Sequence, residues 1–160
     1  MAYRYSTSTT AEQAKAVGTY LDVSPKQSIE ICNVVRGKSV KAAKRILDDA
    51  IAEVRAIPFK RFTNGLGHKR GPLASGRFAP KACETIKGII ASAEANATNK
   101  GLSVNDLMVK HICAQRGPKQ LHYGRQGGRR HKRTHVEVVL EANKERKEQP
   151  APTKRRKKED

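Results

Sequence analysis

Tryptophan is missing from the 160 residues, and aromatic rings are limited to three Phe and four Tyr. A core built from this chain is therefore small and mainly aliphatic. Cysteine is scarce as well. Cys32, Cys83 and Cys113 lie far apart, are odd in number and form no CxxC pair, which argues against a disulfide framework and leaves them reduced and partly buried. No apolar run approaches the roughly 20 residues of a membrane span, and "MAYRYSTSTT" has no apolar stretch of the signal-peptide kind. The expectation is a soluble, intracellular protein with no membrane partner. Acidic residues are the most telling shortage. "QRGPKQLHYGRQGGRRHKRT" (115–134) has none, against seven Lys or Arg, four Gly and one Pro, and "IPFKRFTNGLGHKRGPLASGRFAP" (57–80) has none against five.

The net charge of +18 thus lies mostly in two irregular segments and not on a helical face. So much positive charge repels itself, and a polyanion is the partner that relieves it. The 37% of residues that are apolar suit one modest globular body with appendages.

Three helices are predicted. Ser24 as N-cap, Pro25 in the first helical position and Gln27 as the far side of a capping box open the first, with Ile29, Cys32 and Val35 on one face and Gly37 as its stop. Val40, Ala43, Leu47, Ala50, Ile51 and Val54 form the apolar stripe of the second. The third starts at Pro80, runs through Ala82, Ile86, Ile89, Ile90, Ala93 and Ala97, and stops before Gly101; its alanines permit close packing. "KAVGTYLDV" reads as a strand before the first helix. "LMVKHICAQ" (107–115) and "HVEVVLEA" (135–142) read as strands after the third, with Val136, Val138, Leu140 and Ala142 facing one way and Glu137 and Glu141 the other.

If those last two strands pair antiparallel, 107–142 is one long β-hairpin with a basic end at 115–134, turning near Gly124, Gly127 and Gly128. The same Gly-rich, basic composition suits two readings, a disordered loop or an extended hairpin; a two-stranded ribbon is marginal in water, but a folded polyanion can stand in for the core it lacks. At ~3.3 Å per residue, an arm of about ten residues reaches roughly 30 Å, far enough to pass between RNA helices. Arg116, Lys119, Arg125, Arg129, Arg130, Lys132 and Arg133 supply charge for phosphate, and the arginines add a planar fork. His122 and Tyr123 offer rings for unpaired bases, and His131 is a further RNA-binding candidate. In the 57–80 segment the corresponding candidates are Lys60, Arg61, His68, Lys69, Arg70 and Arg77. The pattern suits shape and backbone recognition of structured RNA, and no element looks like a major-groove reading helix.

The order of elements, with "IPFKRFTNGLGHKRG", "SGRFAPKACETIKGIIASAEANATNKGL" and "VKHICAQRGPK", resembles the universal L22 family of large-subunit ribosomal proteins in its archaeal and eukaryotic form, over about residues 12–142. The resemblance implies an α+β fold, with three helices against a three-stranded antiparallel sheet and a long protruding β-hairpin. It implies a structural role: binding large-subunit ribosomal RNA, aiding its folding and assembly, and lining the nascent-peptide exit tunnel. The partners would be that RNA, neighbouring large-subunit proteins and the nascent polypeptide. The location would be cytoplasmic, nucleolar during assembly in a eukaryotic host. Residues 57–80 would be the insertion of the archaeal and eukaryotic branch, and 116–133 the hairpin end. One departure stands out: the Arg-Ala-x-Gly-Arg pattern common near the family's tip is matched only loosely, by "YGRQGGRR".

Catalytic and metal-binding readings find little support. Gly124–Gly127 matches a GXXG loop but sits between strands, where a KH domain needs it between helices. His131 and His135 have the spacing of a zinc-finger pair without a cysteine pair before them. His111 and Cys113 share a strand face, but their local strand gives no oxyanion-donating turn or third partner. No catalytic residue, cofactor or metal is expected, and the alternative to the ribosomal reading is a non-ribosomal RNA-binding or RNA-processing protein. The segment 143–160, carrying "KRRKK" at 154–158, reads as a disordered charged tail.

Overall fold

The computed structural model describes residues 3–142. The tail expected to be disordered, 143–160, lies outside the described residues. Proline has no amide hydrogen for a helix's first turn to leave unpaired, and it opens two of the helices: α1 (Pro25–Val35) and α3 (Pro80–Asn99). Between them runs α2 (Val40–Ile51), capped by Ser39, whose hydroxyl oxygen accepts the Ala42 amide at 3.3 Å. The capping box expected for α1 does not form. The Ser24 side chain accepts no amide, and the Ser28 hydroxyl instead donates to the Ser24 carbonyl at 3.0 Å. Gly37 and Gly101, both at φ +73°, follow α1 and α3 as left-handed stops that a side chain would strain.

β1 (Ala14–Leu21), β4 (Leu107–Arg116) and β5 (Thr134–Ala142) form a three-stranded antiparallel sheet in the order β1-β5-β4. Two short strands, β2 (Ile57–Pro58) and β3 (Gly76–Arg77), pair separately and close the 57–80 segment at its root. The helices lie on one face of the larger sheet: α3 packs on β1, β5 and α2, and α1 packs on β4. Ile86, Ile90, Ala93 and Ala97 of α3 are fully buried. The fold is α+β, three helices against three antiparallel strands, as the family resemblance implied.

One side chain departs from the stripe read for it, and another keeps its expected face but is covered. Val54 falls beyond the end of α2 and is 78% exposed, so the stripe ends at Ile51. Glu137, read on the face of β5 opposite Val136 and Val138, is on that face and is buried there. That face lies opposite the helices, and residues 3–6 cross it and cover it. The β4–β5 register shifts between Val109 and His111, and this bulge re-phases β4. Leu107 and Val109 before it and Ile112 and Ala114 after it are consequently all buried.

Candidate nucleic-acid interface

A buried carboxylate organises the 57–80 segment. Glu30 of α1 has only 1% of its surface exposed. Its Oε1 accepts the amides of Arg61 at 2.8 Å and Phe62 at 2.9 Å, and its Oε2 accepts that of Lys60 at 3.3 Å. Three backbone donors thus satisfy the buried charge and fix the direction in which this stretch leaves the body. The segment then folds back on itself through the Phe59 amide to the Ser75 carbonyl (3.0 Å), the Lys69 amide to the Ala74 carbonyl (3.3 Å) and a bridge between His68 and Ser75. Lys60, Arg61, His68, Lys69, Arg70 and Arg77 are all exposed. Lys69 lies over the Phe78 ring at 5.3 Å, and Arg61 over Phe62 at 5.3 Å.

The hairpin keeps its ribbon past the end of the β4–β5 ladder. The Gly117 amide donates to the Arg133 carbonyl at 2.8 Å, His131 to Gln120 at 2.7 Å and His122 to Arg129 at 3.0 Å. A short helical turn at Gly124–Gln126 reverses the chain, where the glycines predicted it. Arg125, Arg129 and Arg130 are exposed there, with Tyr123 at 89% and Leu121 at 62%. His122 and His131 stack on each other, their ring centres 3.5 Å apart, so each ring already has one face covered. Arg133 turns back to Asp22 at 3.5 Å, and the hydroxyl of Thr134 donates to the Val23 carbonyl at 2.9 Å, which ties the arm's root to the turn between β1 and α1. Asp22 also pairs with Lys81 at 2.9 Å, and chiefly that bond holds its carboxyl below the ordinary range.

Between the loop and this root runs a groove of about 510 Å³. Four of its lining residues are cations from three places in the chain: Lys26 of α1, Arg61 and Arg77 of the loop, and Lys132 of the arm. None of its lining residues is acidic. A second groove of about 250 Å³ shares Lys26 and Lys132 and adds Arg116, Lys119 and Arg133. Candidates distant in sequence are thus brought together, whereas Arg125 and Arg129 at the tip line neither groove. Sequence reasoning missed Lys26 and Glu30. Lys26 carried a readable signal: a cation in a first helical turn faces the helix's own positive end. Glu30 carried none, since only the fold shows that three amides converge on it.

On the other face of the sheet, Glu137 is the centre of a second cluster. It accepts bonds from the Ser6 hydroxyl, the Tyr3 hydroxyl (3.2 Å) and the Ser6 amide (3.2 Å), and shares one with His111 Nε2 (3.0 Å). Burial pushes its carboxyl up, but the bonds from Ser6, His111 and Tyr3 outweigh that and hold it below the ordinary range. The Tyr3 hydroxyl is pushed up to about 12, by burial first and the Glu137 charge second. Cys113 lies close enough that it, His111 and Glu137 have ligand atoms within 4.8 Å of one another. The hydrogen bonds already made to Glu137 give this cluster a job, clasping the N-terminal segment to the sheet.

The family model for ribosomal protein L22p/L17e matches residues 16–141. Among curated relatives, the large ribosomal subunit protein uL22 of Methanosphaera stadtmanae is 37% identical over 147 residues, covering 86% of this chain and 94% of the relative. Its counterpart in Archaeoglobus fulgidus is 36% identical over 146 residues, 87% of this chain and 94% of the relative. That of Methanococcoides burtonii is 37% identical over 115 residues, 71% and 76% respectively.

Proposed function

The chain belongs to the ribosomal protein L22p/L17e family, and from that premise we propose how it serves the large ribosomal subunit: as a structural, non-enzymatic component whose 57–80 loop and hairpin arm bind large-subunit ribosomal RNA. The arm runs inward along the nascent-peptide exit tunnel and forms part of its wall, so the growing polypeptide and neighbouring large-subunit proteins are further partners. The protein works in the cytoplasm, and in a eukaryotic host it would join the particle in the nucleolus. Carrying this reading is the condition of the arm's cations. Of the seven in 115–134, only Arg133 makes an ion pair among the described residues. The other six need a counter-charge from outside, and the glycines that separate them let RNA backbone approach closely.

A structure of the assembled large subunit tests the proposal. The arm should lie against RNA phosphates, with its tip facing the tunnel lumen. Density that left 115–134 in solvent, remote from every nucleotide, would remove the basis for the RNA and tunnel assignments. In cell lysate, a tagged copy should sediment with large subunits on a sucrose gradient.

A further inference from the structure

The larger groove has a property that neither acid-free segment has alone: it draws cations from α1, the loop and the arm into one concave site. Lys26, Arg61, Arg77 and Lys132 are all exposed, and none makes an ion pair among the described residues. Lys26 and Arg61 flank the Phe62 ring, at 5.6 and 5.3 Å. Like charges gathered in one groove with no acidic lining repel one another. The loop is nonetheless fixed in this position by the three amide bonds to Glu30, and the arm's root by Thr134 and Arg133. The repulsion is therefore built in, and an anion that neutralises several charges at once relieves it. With several cations along an open groove, the fit is to consecutive phosphates of a polyanion, not to one small ion.

Resting on the reading of the chain as a ribosomal RNA-binding protein, we propose that this groove seats a stretch of RNA sugar-phosphate backbone that touches the loop and the arm together. One RNA segment then bridges two parts of the protein joined only through the body, and so sets the angle at which the arm leaves it. Glu30 is a positioning residue here: it never meets the RNA, but it aims Arg61 and Phe62 into the groove. The arm's direction is in this way fixed at its root as well as by contacts along its length.

The test uses the full chain and in vitro transcribed large-subunit ribosomal RNA. Two double variants carry the same charge change: Arg61→Gln with Arg77→Gln in the loop, and, as control, Lys41→Gln with Lys110→Gln, which pair with Asn105 and Glu141 away from the groove. All four side chains are exposed, so both variants should melt as the parent does. The slope of log affinity against log salt should shrink by about 1.4 in the loop variant, ~0.7 for each lost phosphate contact on irregular RNA, and by much less in the control. RNA should also slow amide exchange at 117–133 in the parent and the control, and do so less in the loop variant, although neither substitution lies in the arm. If the loop variant matches the control in both readouts, the bridge does not exist. If the parent itself shows no salt-dependent RNA binding, the ribosomal RNA assignment falls, and the bridge with it.

Discussion

Two buried glutamates show how much single residues decide in a chain so short of acids. Glu30 spends its charge on three loop amides, and Glu137 spends its own on Tyr3, Ser6 and His111. Hydrogen bonds to a charged group contribute more than neutral ones, about 1.5–3 kcal/mol each, and both carboxylates hold otherwise irregular chain against the body. For Glu137 the pH dependence follows from the direction of its shift. Its folded carboxyl sits below the ordinary glutamate value near ~4.3, so the clasp's contribution is fully present above that value and is lost as pH falls through the lower folded one. Glu137→Gln should therefore be less stable than the parent at pH 6, with the gap closing on acidification toward pH 3, as measured by urea unfolding. A gap that stayed constant across that range would mean the charge on Glu137 contributes nothing to the clasp. Neither role was legible beforehand. Simple alternation along β5 puts Glu137 on the face away from the helices, which is correct, but it gives no hint that residues 3–6 cover that face.

At the scale of elements, the local rules did most of what they can do. The α3 stripe, its proline start and its glycine stop all come from spacing and backbone chemistry that tertiary contacts do not override. The same holds for the existence of β1, β4 and β5. What local pattern misses is phase and extent. The bulge in β4 shifts the inward set by one residue, so Val109 and Ile112 are both buried although their spacing is odd. Val54 continues the α2 period in sequence, but the helix has ended before it. Ile90 tests whether α3 is the packing centre. It is fully buried, and Ile90→Ala should cost about 2–5 kcal/mol through lost burial and a residual cavity. Thermal melting should register a drop of roughly 10 °C. RNA affinity, measured well below either midpoint, should stay the same. A melting shift of a degree or less would mean that the neighbouring side chains close over the gap and that the body is not organised around this helix.

Over the whole molecule, the buried core and the residues proposed to contact RNA are different sets. The buried apolar set comes almost entirely from the three helices and the sheet, whereas the cations of 115–134 are nearly all exposed and, Arg133 apart, make no ion pair among the described residues. A protein built this way should tolerate charge changes in the arm without unfolding, and lose its partner instead. The variant Arg129→Glu with Arg130→Glu replaces two positive charges by two negative ones at sites that touch no core residue. Its melting temperature in the free state should therefore stay within about a degree of the parent's, since surface substitutions usually stay within about 0.5 kcal/mol. Its affinity for large-subunit RNA should fall at least ~10-fold at physiological salt, because phosphate contacts supply most of the binding and two of them turn repulsive. In cells it should be depleted from large-subunit fractions on a sucrose gradient. Equal losses of melting temperature and subunit entry would mean that the arm packs on the body as part of its fold, and that RNA does not complete the ribbon.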